Sequence, residues 1–252
     1  SGAVRARGDE SSNNLAANNE DTTAEGEVFI GVNTATTNAY VVGKKGVVVM
    51  SKLVSITNDA DDTNGSAIPI GQSDIAKFKF TAADHVNSKN GLNTVTLSGI
   101  VFNVNATNVN LRATAGDFLV YNQNDSNTTL ACQSYVNDTT RVATTGTASG
   151  SLLIECRGLE ADSVVTDVDP GQSITLVLQA NITNQNSSSV GAPSTLQVSI
   201  QDFDSDTRFF FGVLNSASFS HIDWRDKDSS STQDFTWIEY PTTVVKSTSY
   251  AG

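Results

Sequence analysis

From Val168 to Thr183 the chain reads VDPGQSITLVLQANIT, in which Ile174, Leu176, Leu178, Ala180 and Ile182 alternate with Thr175, Val177, Gln179 and Asn181. Alternate side chains of an extended strand point to opposite faces, so a period of two predicts a strand with one apolar face. Asp169-Pro170-Gly171 just before it predicts a turn, with proline and glycine at their favoured central positions. STLQVSIQ repeats the alternation with Leu196, Val198 and Ile200. In DIAKFKFTAAD, Ala76, Phe78 and Phe80 lie on one face and Lys77 and Lys79 on the other, which predicts a half-buried strand. In NTVTLSGIVFNVNA the apolar phase changes at Gly99, from Val95 and Leu97 to Ile100, Phe102 and Val104, and a glycine at a phase change predicts a β-bulge. EVFIGV (27–32) and AYVVGKKGVVVMSKLVSITN (39–58) are rich in β-branched residues, with Gly-Lys-Lys-Gly as a turn between two strands. A short turn in RGLEADSV is the only helical candidate. Many alternating strands joined by turn-rich loops predict an all-β fold: an antiparallel β-sandwich of the Ig-like or jelly-roll-like kind with a flexible N-terminal arm.

Residues 1–26 contain no aromatic residue and almost no large aliphatic one, so they read as the arm. The expected organisation is this arm, a region at 27–46 that supplies an exchangeable strand, a sandwich core at 47–222, and C-terminal strands with a tail at 223–252 packing on it. The net charge of −12 argues against nucleic acid, because binding a polyanion requires a basic surface. No run is long and apolar enough to cross a bilayer. The first residues show no apolar h-region of a signal peptide, so if the protein is exported its signal has been removed. An extracellular location is the expectation, because two cysteines in a chain this rich in Ser, Thr and Asn suit an oxidising compartment. Cys132 and Cys156 lie near strand-like segments, TTLACQSYV and GSLLIECRG, which predicts a disulfide across a hairpin or neighbouring strands, the alternative being two buried thiols. Asn-x-Ser/Thr sequons occur at Asn64, Asn105, Asn124, Asn127, Asn137, Asn181 and Asn186, a number close to chance for a chain with 58 Ser and Thr and 23 Asn.

Little in the sequence points to catalysis. The two histidines, His85 and His221, lie in a polar loop and in a strand, and no nucleophile elbow, phosphate loop, dinucleotide fingerprint or His/Cys metal spacing occurs. The expectation is a protein that is not an enzyme and requires no cofactor. Acids are the exception to this blandness. In SIQDFDSDTRFFFG, Asp202, Asp204 and Asp206 occupy alternate positions, so in an extended chain their carboxylates crowd one face. Either the strand ends or bulges at 201–203, or a cation sits among them. NDADDTNGS brings together Asp59, Asp61, Asp62 and Asn64 in the same way, and both stretches are candidates for Ca2+, a hard cation that takes six to eight oxygen ligands. Their other reading is a solvated acidic turn. Trp224, Trp237 and Tyr240 are the candidates for an aromatic platform under a sugar ring.

VDPGQSITLVLQANIT, SGIVFNVNATNVN and IPIGQSDIAKFKFTAA together resemble the secreted β-sandwich domains of prokaryotic surface-layer, adhesin and filament proteins, over roughly 47–203. FTWIEYPTTVVKSTSYAG also resembles the C-terminal portion of extracellular proteins from uncultivated small-genome bacteria. The resemblance implies a structural or adhesive role outside the cell. EVFIGV, following the arm, can complete a neighbour's sheet as well as its own. Glu27, Val28, Phe29, Ile30 and Val32 are therefore the candidate subunit contact, and the expected partner is a second copy of the chain in a filament or layer, with no nucleic acid and no membrane span. The alternative is a glycan-binding adhesin module that uses calcium.

Overall fold

In a computed structural model, the described residues are 51–84, 86, 88, 93–135, 146–185, 193–201, 222–227 and 244–252, with four short strands in the first fifty residues. The chain divides into two units, Ser1–Val49 and Met50–Gly252. In the first unit, β1 (Ala6–Arg7) pairs antiparallel with β2 (Asn14–Leu15), and β3 (Ala17–Asn18) with β4 (Ala24–Glu27). Short ladders thus occur inside the stretch read as an arm. Of the candidate subunit-contact residues only Glu27 is described; Val28, Phe29, Ile30 and Val32 lie outside the described residues.

The second unit is antiparallel β-structure, as the alternation predicts. Its strands are β5 (Leu53–Asn58), β6 (Gly71–Ala82), β7 (Val95–Arg112), β8 (Leu119–Asn122), β9 (Asp125–Ala131), β10 (Gln133–Tyr135), β11 (Thr147–Arg157), β12 (Asp167–Val168), β13 (Ser173–Gln185), β14 (Thr195–Gln201), β15 (Ile222–Asp226), β16 (Val244–Lys246) and β17 (Tyr250–Ala251). A 3₁₀ turn at Leu159–Ala161 and one α-turn at Ser163–Thr166 fall where RGLEADSV predicts a short turn. The sheet runs β10-β11-β7-β13-β6-β5; β8 pairs with β13 and carries β9, β14 and β15 pair with β7 on the edge that β13 also uses, and β16 and β17 pair with β14. These strands are one connected pairing network that curls into a half-barrel.

Two strands turn the corners. β7 pairs with β14 as far as Thr107 and with β13 from Val109 onward. Asn108, between them, has φ 52°, a left-handed conformation that asparagine tolerates better than most side chains. The buried phase of β7 changes there too, from Ile100, Phe102, Val104 and Ala106 to Val109 and Leu111. On the opposite side β9 pairs with β8, β10 pairs with β11, and Cys132 is the single residue between them. Register places Gln133 opposite Glu155, hence Cys132 beside Cys156, and the two form a disulfide with Cα atoms 4.3 Å apart. This is the neighbouring-strand bridge the sequence predicts.

Other local readings hold as well. Gln172 N–H donates to Asp169 O at 2.9 Å, and Gly171 has φ 71°, which makes Asp169–Gln172 a β-turn with proline and glycine in the centre. A Cβ on Gly171 would also meet the Asp84 side chain at 3.1 Å. The bulge expected at Gly99 lies at Ser98, which is skipped between Asp223↔Gly99 and Trp224↔Leu97. A second bulge skips Ile75 between Asp74 and Ala76, so Ile75 and Ala76 are both buried. Phe78 and Phe102 stack across the core with ring centroids 5.8 Å apart.

Candidate functional site

The acidic loop that follows β5 is where sequence-predicted site residues and long-range structure meet. Asn58 Oδ1 accepts from Ala60 N–H at 3.1 Å and starts the loop as an Asx turn. From there its three carboxylates diverge. Asp59 accepts from the Thr175 hydroxyl at 2.6 Å, Asp61 pairs with the Lys77 ammonium at 3.4 Å, and Asp62 accepts from the Tyr250 hydroxyl at 3.1 Å. Among the described residues no group of three or more His, Cys, Asp or Glu side chains is placed to hold a metal ion. Each acid of this loop has its own hydroxyl or ammonium partner. Asp202, Asp204 and Asp206 lie outside the described residues.

The loop's main partner is the last stretch of chain. Asn64 Oδ1 accepts from Ser249 N–H at 2.9 Å, Gly65 N–H donates to Ser249 O at 2.7 Å, Ala251 N–H donates to Ser66 O at 2.9 Å, and the Thr248 hydroxyl donates to Asp62 O at 3.0 Å. On its other side the same stretch extends the sheet: β16 pairs with Ser199–Gln201 and β17 with Thr195–Leu196, and Ser194 and Gly252 exchange two backbone bonds. Val245, Ser247, Thr248 and Tyr250 are buried, each no more than 8% exposed. This is the geometry of β-augmentation, in which main-chain bonds hold an extended segment and selected side chains anchor it. It covers β14, whose Leu196, Val198 and Ile200 are fully buried.

Burial, then the hydrogen bond and negative charge of Asp62, push the Tyr250 phenol up to about 12, so it stays a neutral donor. Tyr121 is held in the same state, also about 12, by burial and then by Asp74, which its hydroxyl meets at 3.0 and 3.1 Å. Gln179 donates to the same Asp74 at 2.9 Å. On the neighbouring rung, burial pushes the Asp117 carboxyl up, but hydrogen bonds from Thr114, the Arg112 charge and Asn181 outweigh it and hold the carboxyl below its usual range. A further polar cluster surrounds the start of β7, where Thr94 meets Asp169 at 2.5 Å, Thr96 meets Asp167 at 2.6 Å, Lys227 pairs with Asp167, and Arg225 pairs with Glu160 at 3.0 Å. In these clusters the polar groups tie strands to one another and to the turns and loops beside them.

The candidate platform residues do not form one exposed surface. Trp224 pairs through its backbone with Leu97 and is 0% exposed in the core, so it has no face to offer a sugar. It is one of three consecutive buried residues of β15, Ile222, Asp223 and Trp224, beside the wholly buried start of β7. Trp237, Tyr240 and both histidines lie outside the described residues. Tyr250, Thr248 and Thr175, by contrast, were not singled out by the sequence. Their acid partners are 188, 186 and 116 residues away, and no local pattern encodes such a pairing.

No protein-family model matches the chain, and no curated protein does. Among solved structures, one described as AvmM, which catalyses macrocyclization in alchivemycin A biosynthesis, aligns with 81% of this chain and 85% of its own. Its sequence is 6% identical and the TM-score is 0.28, a likeness that carries no argument about activity.

Proposed function

We propose that the chain is a non-catalytic extracellular structural subunit that self-assembles into a cell-surface filament or layer by donating a β-strand to a neighbouring copy. The observation that supports this most is the edge of β5: among the described strands it pairs with β6 alone, although Leu53 and Ile56 are fully buried. A strand with one satisfied edge is a template for a second chain, and donation from subunit to subunit is a head-to-tail contact that propagates unless the rotation closes. Glu27, Val28, Phe29, Ile30 and Val32 are the proposed donor. The disulfide fits an oxidising location.

The test is size exclusion and negative-stain microscopy of the full chain beside a variant lacking residues 1–33, each with and without calcium. The expected result is filaments or large oligomers from the full chain only, with calcium making no difference. Two well-folded monomers would sink strand donation and direct the search to glycan binding.

A further inference from the structure

Seven sequons at near-chance frequency say nothing individually, but the fold sorts them. Five have a described asparagine. At Asn181 the side-chain amide donates to Asp117 Oδ1 at 3.2 Å and the Thr183 hydroxyl donates to Asn110 O at 3.2 Å, so both groups of the sequon are engaged. Asn105 is in the middle of β7, flanked by Ser151 on one side and Gln197 on the other, and accepts from the Ser151 hydroxyl at 2.7 Å. Asn64 is tied to the tail through Ser249 N–H, and its Ser66 hydroxyl donates to Thr63 O at 2.7 Å. The remaining two, Asn124-Asp-Ser126 and Asn127-Thr-Thr129, share the β8–β9 hairpin.

This hairpin displays both sequons outward. Gln123 and Asn124 form its turn, with Gln123 N–H donating to Thr175 O at 2.9 Å and Asn124 N–H to Asn122 Oδ1 at 3.0 Å. Asp125 then organises the next residues, accepting from Asn127 N–H at 3.2 Å and from the Thr128 hydroxyl at 2.8 Å. The backbone is therefore held by groups other than the sequon side chains. Asn124, Ser126, Asn127 and Thr129 are all exposed, and among the described residues their side chains have no hydrogen-bond partner.

We propose that Asn124 and Asn127 are N-glycan attachment sites and that Asn64, Asn105 and Asn181 are not. The donor is a lipid-linked oligosaccharyl diphosphate. A bond forms between its anomeric carbon and the asparagine Nδ2, the carbon–oxygen bond to the diphosphate breaks with its electron pair leaving on the lipid diphosphate, and Nδ2 releases one proton to solvent. The product places a bulky, hydrated group on the turn before β9 or on β9 itself, a strand that pairs with β8 alone among the described strands. A glycan there blocks pairing at this edge, and the edge of β5 stays open.

The experiment uses the full chain secreted from a eukaryotic cell line, whose oligosaccharyltransferase and lipid-linked donor are the probe. Peptide-N-glycosidase in heavy-oxygen water followed by fragment mass spectrometry then marks each former glycan site as a labelled aspartate. Label at Asn124, Asn127 or both, with none at Asn64, Asn105 or Asn181, is the expected result. Ser126→Ala should remove only the Asn124 glycan and Thr129→Ala only the Asn127 glycan, with the melting temperature of the enzymatically deglycosylated chain unchanged in both. Label at Asn64, Asn105 or Asn181, or none on the hairpin, would overturn the assignment.

Discussion

The half-barrel is held together in two different ways. At two corners the chain itself carries the ladder around: β7 passes from β14 to β13 through Asn108, and β9 continues into β10 through the disulfide-bonded Cys132. At a seam, the acidic loop after β5 and the final strands are joined by side chains and single backbone bonds. A corner made by a continuous strand cannot open without breaking the ladders on both sides of it. The seam can open one hydrogen bond at a time, and its opening uncovers the edge of β14.

This difference predicts a graded set of effects. Replacing both Cys132 and Cys156 by alanine should cost about 3.5 kcal/mol on the chain-entropy model, read as a lower urea midpoint for the whole second unit. If only the residues around 125–135 lost protection against hydrogen exchange, the corner would not govern global stability. Asn108→Val forces a β-branched residue into a left-handed conformation and should cost roughly 1–2 kcal/mol, while Asn108→Gly should be close to neutral. Equal losses in the two variants would mean that the Asn108 side chain, which donates to Pro193 O at 3.3 Å, matters more than its backbone angle.

The seam should respond more weakly and locally. Tyr250→Phe removes the hydroxyl that Asp62 accepts and should cost about 1 kcal/mol, read as faster hydrogen exchange across 244–252 with β7 and β13 unchanged. Because the folded phenol is raised from 10.0 to about 12, its stabilisation is complete below pH 10 and is lost as the pH rises through 12. The wild-type tail should therefore loosen over that interval. Tyr121 titrates in the same range, so the Tyr250→Phe variant separates the two: a tail transition that persists in it would assign the effect to Tyr121.

The sequence alone was enough for the inward faces of β6, β13 and β14, the Asp169–Gln172 turn, the bulge beside Gly99 and the cysteine pair. Each follows from a period of two, a turn residue or a short spacing, all of which are local properties of the chain. Only the tertiary structure decided that Asn108 turns a corner, that Trp224 is in the core, and that Asp59, Asp61 and Asp62 face a threonine, a lysine and a tyrosine. Those outcomes depend on which strand lies beside which, and a carboxylate in a loop carries the same local signal whether a cation, solvent or a hydroxyl more than a hundred residues away satisfies it. The same holds for the sequons: the motif is local, whereas the partners of Asn64, Asn105 and Asn181 arrive from segments far along the chain.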